Sequence, residues 1–579
     1  MFIKCMQFFR YFILIYSTFL TTHIYSQVKY AHENFKAPLD ISLFLSGNFG
    51  ELRSSHFHSG IDIKTQQQIG KNVYASQEGY ISRIKIQSGS YGNALYITHP
   101  DGYTTVYGHL NDYIPLIARY IKNYQYQLKS FEVDVYPEKG EFPVSQGQLV
   151  AHSGNTGNSG GPHLHFEIRN VDQEPLNVLR FNFNIEDKIP PVILNMAVYP
   201  VTSNSFINSK NEKLIISPVK SNGVYELPDS LKISGSAGFG LETYDYLNGS
   251  SNRCTVYSIE LSVDDTIYYY HEMDKFSFEE MKYVNSHMDY EEYILKNIKL
   301  HKLCPDPNNR LSIYKILKNR GIVDFSKDTV FHVKITVKDA YLNTSVLKFN
   351  VQGSTASYIH NQLPQDSLFL KTFFYNQQNT YQTPDFKISM PAYSLFKNIN
   401  FTYSALHVDS IKYSDLHFVH SDLVPLCQSY SLSIKTNDLP ETLQHKALIV
   451  SIDRENKVNA VGGDWKDGFI TSPVKYFGKF FITIDTIAPE IRSITFKRNA
   501  TYNVSDALSF RIKDNLSGIK SYNGFIDNHW ALFEYDQKDD LLSYKIDPER
   551  IQQGMKHTIE IKVVDDRNNT ATFTSVFYY

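Results

Sequence analysis

The sequence predicts a mainly β protein, with an antiparallel-sheet N-terminal domain followed by about three β-sandwich modules. Three observations support this fold class. The chain has 579 residues, too many for one core at about 100–200 residues per domain. It contains 42 Tyr and 38 Phe against 8 Met, and aromatic residues favour strands. Two pairs of segments also recur along the chain, as expected for repeated modules.

The charge balance excludes one class of function. The chain carries 57 Lys and Arg against 60 Asp and Glu, a net charge of −3, and it has no basic tract. Proteins that bind nucleic acid usually show a basic excess or a basic patch. We therefore expect no nucleic-acid partner.

The first 26 residues have the organisation of a secretory signal peptide. Lys4 and Arg10 precede an apolar run over 11–20, and the small residue Ser26 stands at the expected cleavage point. The alternative is a membrane anchor, but the run is shorter than the roughly 20 residues that span a bilayer. We expect residues 1–26 to be removed, leaving no transmembrane anchor, and the protein to be exported to the periplasm or cell envelope.

Removal of the signal peptide would leave three cysteines. Cys5 lies before the apolar run and would leave with it, so Cys254, Cys304 and Cys427 remain. An odd number permits one disulfide of three pairings and one free thiol. Cys254 and Cys304 fall in one predicted module, which favours that pair.

The N-terminal domain is expected over 27–186, where glycine turns separate short alternating runs. The turn residues at 100–102 join two β-rich arms, which is typical of a hairpin. Apolar residues at helical spacing without glycine predict a helix over 114–128. Strands are expected at 73–75, 80–86, 94–99, 103–110 and 149–153.

Repeated segments divide the rest of the chain. The segment 187–193, DKIPPVI, recurs as DTIAPEI at 485–491, and both look like module starts. The segments 334–344 and 560–570 each run from an alternating strand through an Asp/Asn turn, as in the last hairpin of an immunoglobulin-like sandwich. A fainter copy begins at 448. We therefore expect Ig-like modules at 187–352, 353–484 and 485–579, with the middle boundary the least defined.

Three patches of the N-terminal domain contain candidate metal ligands. His58 and Asp62 flank a Ser-Gly-Ile stretch that permits the bend needed to bring them together. His163 and His165 begin a strand, so both rings lie on one face, one as a ligand and one beside it. His109 ends the hairpin and could polarise a carbonyl or a bound water.

These residues point to hydrolytic chemistry. Two histidines and a carboxylate with an open fourth position form the ligand set of a catalytic zinc. The sequence has no H-E-x-x-H, which argues against a zincin, and its G-x-S-x-G match at 157–161 leads into a strand rather than the helix of a nucleophile elbow. The glycine-rich segment 154–161 lacks the Gly-Lys-Ser/Thr of a phosphate loop and precedes a strand, so we expect a tight loop beside a cleft.

Together these motifs resemble the LytM/lysostaphin-type zinc endopeptidases, which cut peptide cross-links of bacterial peptidoglycan. The resemblance covers roughly residues 40–180 and includes an F-G-x-x-R lead-in at 49–53. It implies one Zn²⁺ per chain and peptidoglycan stem peptides as substrate. It also implies the following roles: His58, Asp62 and His165 hold the zinc, His163 is the general base, and His109 helps to stabilise the oxyanion.

Three further histidines, one long segment and two other functions are compatible with the same sequence. His56 is an alternative ligand that we expect at the rim, and His99 and His152 are expected to be structural. The segment 111–143 is longer than a minimal domain needs and is expected to wall the cleft. One alternative is a catalytically silent wall-binding protein that regulates another hydrolase, its site covered by 27–47 or by a C-terminal module. An adhesin is a further alternative, and the C-terminal modules could bind envelope proteins in any of these cases.

Overall fold

A computed structural model describes residues 34–355 and 369–579 of the chain. The predicted signal peptide, residues 1–26, lies outside the described residues. Strands make up 46% of the structure described in these two ranges and helices 8%, which confirms the mainly β prediction. Within the two described ranges, no helix has both the length and the apolar character needed to cross a membrane.

The N-terminal domain is built on one large antiparallel sheet. Its central strands follow the order β1-β2-β10-β6-β5-β4-β7, with β11 beside β10, β9 beside β6, β3 beside β9 and β8 beside β4. The strands are β1 Leu45–Gly47, β2 Ile61–Lys64, β3 Asn72–Tyr74, β4 Gly79–Ile86, β5 Asn93–Thr98, β6 Thr104–Tyr113, β7 Val133–Val135, β8 Pro143–Val144, β9 Leu149–Ser153, β10 His163–Arg169 and β11 Pro175–Leu176. The five strands expected from the sequence are all present, with small shifts at their ends.

The helix predicted over 114–128 is confirmed as α1, Pro115–Leu128. Proline suits the first helical turn, where its missing N–H group has no intrahelical partner. The helix ends at Lys129, which adopts the left-handed conformation. Ile117 and Ile121, one turn apart, are buried against the domain core.

The first module contains two facing sheets and two short helices. Its sheets follow the orders β14-β12-β18-β21 and β13-β17-β25-β24-β19-β20-β22. The elements are β12 Val192–Pro200, β13 Phe206–Ile207, β14 Leu214–Ile216, β15 Val219–Ser221, β16 Val224–Glu226, β17 Leu231–Ser234, β18 Ser236–Tyr244, β19 Ser258–Val263, β20 Thr266–Glu272, α2 Val284–His287, α3 Tyr290–Lys296, β21 Leu300–Lys302, β22 Tyr314–Leu317, β23 Val323–Asp324, β24 Val330–Lys338 and β25 Thr344–Ser354. The sequence did not predict the helices.

The second module also consists of two sheets, ordered β26-β29-β30-β36-β32-β33 and β27-β28-β31-β35-β34. Residues of both sheets contribute to one buried cluster. Its strands are β26 Phe369–Phe373, β27 Asn379–Gln382, β28 Phe386–Met390, β29 Ile399–Leu406, β30 Leu416–Val419, β31 Tyr430–Lys435, β32 Ala447–Ile452, β33 Val458–Gly462, β34 Asp464–Lys466, β35 Phe469–Val474 and β36 Gly478–Ile484.

The third module has two four-stranded sheets, ordered β37-β38-β42-β41 and β40-β39-β43-β44, around one buried cluster. The expected last hairpins are confirmed: β24 pairs with β25, and β43 with β44, both antiparallel. The strands are β37 Glu490–Ser493, β38 Ala507–Lys513, β39 Ile519–Ile526, β40 His529–Ala531, β41 Glu534–Asp536, β42 Leu541–Lys545, β43 Lys556–Asp565 and β44 Thr570–Tyr578. The module boundaries and the Ig-like classification stay predictions.

The N-terminal domain and the first module share part of their core. Phe276 stacks on Phe49 with ring centroids 4.8 Å apart and lies 5.3 Å from Phe57, which precedes the first candidate ligand. All three rings are buried. Aromatic pairs of this kind stabilise an interface beyond the area they bury. The first module therefore supports the loop that carries His58.

The third module returns to the N-terminal domain and contacts helix α1. Lys122 Nζ lies 2.6 Å from Asp547 Oδ2, and Arg119 Nη2 lies 3.2 Å from Glu549 Oε1. Tyr126 of the same helix packs edge-on against Trp530, with ring centroids 5.3 Å apart. The N-terminal domain and the third module are thus in direct contact.

Cys254, Cys304 and Cys427 are free thiols, so the favoured Cys254–Cys304 disulfide is not formed. Strand β18 explains the separation. The backbone of Cys254 pairs with that of Asp245, just after this strand, in an isolated antiparallel β-bridge. The Cys304 Sγ instead contacts the carbonyl of Phe239, within the strand. Six residues of extended chain separate the two positions, roughly 20 Å, which no disulfide can span.

Candidate metal and catalytic site

The register of three antiparallel strands assembles the candidate site. On β10, His165 is paired with Asp62 of β2 on one side and with Gly108 of β6 on the other. Directly opposed residues in such a sheet have neighbouring side chains. His109 follows Gly108, and so it also lies beside His165, with ring centroids 5.9 Å apart.

Three predicted ligands converge on one point. His58 Nε2 lies 3.0 Å from Asp62 Oδ1 and 3.0 Å from His165 Nδ1, and His165 Nδ1 lies 2.9 Å from Asp62 Oδ1. All three residues are buried. One nitrogen or oxygen of each is thus directed at the others, which is the donor set of a catalytic zinc with an open fourth position. The residues present fit the ion.

The outer nitrogens of both histidines are held by acceptors. His58 Nδ1 donates to the carbonyl of Asn48 at 2.8 Å, and His165 Nε2 donates to Glu167 Oε1 at 2.8 Å. A proton on the outer nitrogen leaves the lone pair of the inner nitrogen free for a metal. These two contacts fix the ring orientations that a metal site needs.

Glu167 is a functional residue that the sequence analysis did not single out. It is fully buried and accepts hydrogen bonds from Ser59 at 2.6 Å, Tyr91 at 2.6 Å and Arg169 at 2.7 Å, besides His165. Burial disfavours its charge, but Arg169 and His165 hold the pKa of its carboxyl well below the ordinary value. The period of two along β10, which places 163, 165 and 167 on one face, was the signal that could have found it.

The site attracts a positive charge when no metal is bound. Burial alone would lower the pKa of His165, but its hydrogen bonds to Asp62 and Glu167 and their charges raise it to about 9. Burial opposes the charge of Asp62 as well, yet the histidines hold its pKa well below the ordinary value. Arg53 Nη2, 2.8 Å from Asp62 Oδ2, holds the second carboxylate oxygen. A metal entering the site must therefore displace a proton.

Gly60 permits the close approach of the His58 loop to β10. A Cβ atom at this position would lie 2.3 Å from the carbonyl oxygen of Phe166 and 2.8 Å from Glu167. Such contacts would push the loop away from the strand. Glycine is therefore required between the first two ligands.

His163 and His109 face each other above the ligand cluster, with ring centroids 4.7 Å apart. His163 Nδ1 donates to the carbonyl of Gly161 at 2.8 Å, and His109 Nδ1 donates to that of Thr156 at 2.8 Å. In their neutral forms both rings therefore have a free lone pair on Nε2. His163 Nε2 lies 3.4 Å from Asp62 Oδ1, which places it beside the ligands.

His109 has two unusual properties. Its backbone is left-handed, with φ at 58°, a conformation that costs energy for a non-glycine residue and is found at functional sites. Burial, followed by the charges of His165 and His163, lowers its pKa to about 3. The ring is therefore neutral at physiological pH in the metal-free protein.

A cleft of about 630 Å³ opens onto these residues. Helix α1 does not line it, so the expectation that 111–143 walls the cleft is wrong; the helix packs against the third module instead. Ser46 is the single lining residue from the described part of 27–47, and no lining residue comes from the described C-terminal modules. The lining residues are Ser46, Arg53, Asp62, Lys64, Gln66, Gln67, His109, Asn158, Ser159, Gly160, Gly161, Pro162 and His163.

Three other histidines of the N-terminal domain lie outside the cluster, as expected. His56 is partly exposed beside Ser55. His99 is buried, and its two nitrogens contact the carbonyl of Glu78 and the hydroxyl of Thr105. His152 pairs with Asp112 on the sheet.

The described parts of the modules contain three further clusters of residues that could bind a metal, none of which was predicted from the sequence. His271, His287 and His301 each present a ring nitrogen within 4.8 Å of the others in the first module, and all three are buried. They lie on three separate elements, and no short motif connects them. Two acidic groups also form, Asp187 with Asp245 and Asp339, and Asp485 with Asp514 and Asp565.

Parts of the chain resemble known protein families. Residues 56–126 and 118–178 match Peptidase family M23, and residues 370–485 match a Zu5-like domain. A protein of Neisseria meningitidis serogroup B called "DD-carboxypeptidase/endopeptidase Mpg" is 32% identical over 126 residues, which are 22% of this chain and 23% of that protein. "Peptidoglycan DD-endopeptidase ShyA" of Vibrio cholerae is 29% identical over 160 residues, 26% of this chain and 31% of that protein. The chain thus spans about a quarter of the length of these relatives.

Two solved structures each match about a quarter of the chain. A zinc-containing peptidase from Vibrio cholerae is 27% identical, with a TM-score of 0.19, over 25% of this chain and 39% of that one. The catalytic domain of lysostaphin from Staphylococcus simulans is 24% identical, with a TM-score of 0.16, over 23% of this chain and 85% of that one.

Proposed function

Residues 56–178 form a LytM-type domain of peptidase family M23, and on this premise we propose that the chain is an exported zinc metalloendopeptidase that hydrolyses peptide cross-links of bacterial peptidoglycan. The observation that carries the proposal is the convergence of His58, Asp62 and His165 within 3.0 Å of one another at the end of an open cleft. The relatives called DD-endopeptidases support the substrate class.

In this proposal His58, Asp62 and His165 hold one Zn²⁺ per chain. When bound there, such an ion would supply Lewis-acid chemistry for hydrolysis, polarising a carbonyl and activating a water. Asn48 and Glu167 keep the inner nitrogens of the two histidines deprotonated and correctly oriented. Arg53 restrains Asp62 through its second oxygen.

His163 acts as the general base. Its Nδ1–H is engaged by the carbonyl of Gly161, so Nε2 offers a lone pair on the side of Asp62 and the cleft. It takes a proton from the attacking water and returns it to the leaving amine. A base positioned in this way contributes typically 10²–10⁴-fold to the rate.

His109 stabilises the oxyanion of the tetrahedral intermediate. In the resting protein its Nδ1–H is bound to Thr156 and its Nε2 has no proton, so Nε2 donates to the oxyanion only when that negative charge draws a proton from solvent onto the ring. The proton returns to solvent when the intermediate collapses. Its ring lies 4.7 Å from that of His163, centroid to centroid, so both rings border the same reacting group. His109 therefore works in the step that follows attack.

The envelope location and the C-terminal partners belong to the same proposal. A chain with the signal peptide expected at 1–26 reaches peptidoglycan in the periplasm or cell envelope, where the C-terminal β modules bind envelope proteins.

Digestion of defined cross-linked muropeptides by the purified mature chain tests the function. We expect zinc-dependent release of uncross-linked products, identified by chromatography and mass spectrometry, and no release by His58→Ala. His152→Ala is the matched control, since His152 lies on the same sheet outside the ligand cluster. If the protein binds one zinc ion but digests no wall preparation, and His58→Ala behaves identically, the peptidase proposal fails in favour of a silent wall-binding protein.

A further inference from the structure

The two repeated segments of the chain meet in space and form the same acidic cluster twice. In the first module, the start residue Asp187 and the end residue Asp339 come together with Asp245, which follows β18. Each residue offers a carboxylate oxygen within 4.8 Å of the other two. In the third module the cluster consists of Asp485, Asp565 and Asp514.

The first cluster is organised by one asparagine. Asn343 Nδ2 donates to the backbone carbonyl of Asp187 at 3.3 Å and to Asp339 Oδ2 at 2.8 Å. The Asp187 Oδ1 accepts the backbone N–H of Ile189 at 3.0 Å. The Asp339 Oδ1 accepts the backbone N–H groups of Tyr341 and Asn343, so the end residue is held by its own turn.

The third module reproduces these bonds. Asn569 Nδ2 donates to the carbonyl of Asp485 at 3.0 Å and to Asp565 Oδ2 at 2.7 Å, and Asp485 Oδ1 accepts the N–H of Ile487 at 3.2 Å. A chance grouping of surface acids would not recur with the same donors at the same offsets. The arrangement is a built feature of this type of module.

Both clusters contain buried carboxylate oxygens that have no hydrogen-bond partner. In the first cluster these are Asp245 Oδ1 and Asp187 Oδ2, on residues that are 2% and 8% exposed. In the third module Asp514 Oδ1 has none, and the buried hydroxyl of Ser517 nearby has none either. A buried polar atom in native proteins is nearly always satisfied, so these atoms point to a missing ligand.

No cation of the described chain balances these charges. None of the six carboxylates lies within 4.0 Å of a lysine, arginine or histidine nitrogen in the described ranges. Burial and the neighbouring acids raise the pKa of Asp245 to about 8 and that of Asp187 to about 6. Like charges this close cannot all remain ionised unless a cation joins them.

The ligand chemistry favours calcium. The donors are all oxygens, which hard cations prefer, and no histidine or cysteine belongs to either cluster. Calcium–oxygen distances are about 2.3–2.6 Å, so oxygens around one ion lie up to about 5 Å apart. The 4.8 Å limit within each cluster is compatible with this spacing.

We propose that each acidic cluster, Asp187/Asp245/Asp339 and Asp485/Asp514/Asp565, binds one calcium ion that fixes its module against the preceding unit. Each turn that carries an end residue also forms a hydrogen bond with the preceding unit. The carbonyl of Ala340, beside Asp339, accepts a hydrogen bond from Arg180 of the N-terminal domain. Arg567, beside the other turn, donates to the carbonyl of Ala447 in the second module. Calcium therefore sets the orientation of two junctions and is independent of the peptidase site.

Calcium binding to the intact mature chain, first treated with EGTA, tests this proposal. We expect calorimetry to give two calcium ions per chain and calcium to raise the midpoint of thermal unfolding. Asp245→Asn and Asp514→Asn should each lose one ion, and the double variant both. Asp409→Asn is the matched control, because its side chain is fully exposed in a loop of the second module, and it should keep both ions.

The apo proteins provide a second measurement that does not depend on loss of binding. In EGTA at about pH 9, where Asp245 is ionised, Asp245→Asn removes one buried negative charge, so we expect the variant to unfold at a higher temperature than the wild type. In calcium we expect it to unfold at a lower temperature than the wild type. This reversal also shows that the variant folds. Three results would overturn the proposal. The first is no calcium binding at concentrations roughly ten times the 10⁻⁴–10⁻³ M range of extracellular modules. The others are an unchanged number of bound ions in both variants and an equal rise in unfolding temperature with Mg²⁺.

Discussion

Two buried histidine clusters in this protein have almost the same internal distances and opposite electrostatic character. In the candidate catalytic site His58 Nε2 lies 3.0 Å from His165 Nδ1, and in the first module His287 Nε2 lies 3.1 Å from His301 Nδ1. The surroundings of the first cluster raise the pKa of His165 to about 9, whereas burial and the charge of Lys299 lower that of His301 to about 4.

The difference comes from the third partner and its neighbours. The catalytic cluster contains the carboxylate of Asp62 and is backed by Glu167, so it attracts a cation. In the other cluster, hydroxyl groups of Tyr269 and Tyr314 contact the histidines, 2.8 and 3.0 Å away. Two clusters with the same convergence of ring nitrogens are therefore expected to differ in metal affinity, because only the first has buried carboxylates that favour a cation.

The largest expected effect comes from removing the charge that distinguishes the two clusters. Asp62→Asn keeps the size of the side chain but makes the catalytic cluster neutral, so we expect the zinc to be lost and muropeptide cleavage to fall to background. Zinc content by mass spectrometry and cleavage rate are the measurements. His271→Asn in the other cluster should leave one zinc per chain. Two zinc ions in the wild type, with one lost in His271→Asn, would contradict the distinction.

The second effect separates metal binding from catalysis within the first cluster. His163→Gln keeps the ligands but removes the base, so we expect kcat to fall about 10²–10⁴-fold with zinc content unchanged. His152→Gln, on the neighbouring strand β9, should retain full activity. A His163→Gln enzyme with normal kcat would remove this residue from the proposed mechanism, and loss of zinc would make it a ligand instead.

The smallest effect on activity is expected in the second cluster. His287→Phe leaves His301 Nδ1 and the hydroxyl of Tyr314 without their partner, which costs about 1–3 kcal/mol of unfolding free energy for each unsatisfied group. Denaturant unfolding should show this loss, while cleavage per folded molecule stays unchanged. A parallel loss of zinc and activity would show that the two clusters are coupled.

The same variant changes the pH dependence of stability. The pKa of His301 falls from 6.5 to about 4 on folding, and burial lowers that of His287 well below its ordinary value. The unfolded state therefore binds more protons in this range, so stability falls as the pH drops from about 6.5 to about 4. Unfolding at several pH values should give a shallower decline for His287→Phe, and an unchanged slope would contradict it.

The sequence predicted the parts of the site that depend on local spacing. The H-x-H strand and helix α1 follow from periodicity, and the ligand roles followed from the family resemblance. Glu167 lies on the same face of β10 as these histidines but was not predicted. Its contact with His165 depends on tertiary structure, as do its hydrogen bonds from Ser59, Tyr91 and Arg169. Strand pairing and the positions of the two ends cannot be read from periodicity.

The module clusters were missed for a different reason. The repeated starts and ends were visible as separate segments, but their meeting is a tertiary contact across roughly 80–150 residues of chain. His271, His287 and His301 belong to three elements that the apolar pattern does not connect. The expected disulfide failed likewise, since membership of one module does not fix the distance between two cysteines.

The contact between the third module and helix α1 has a consequence for binding strength. The first and second modules connect these two units and hold Lys122 near Asp547 and Tyr126 near Trp530, so this association is intramolecular. Its effective concentration is set by the geometry of the connecting modules, and contacts too weak to join separate molecules suffice to close the ring. Any change that straightens a junction will therefore release the helix without altering a residue at its surface.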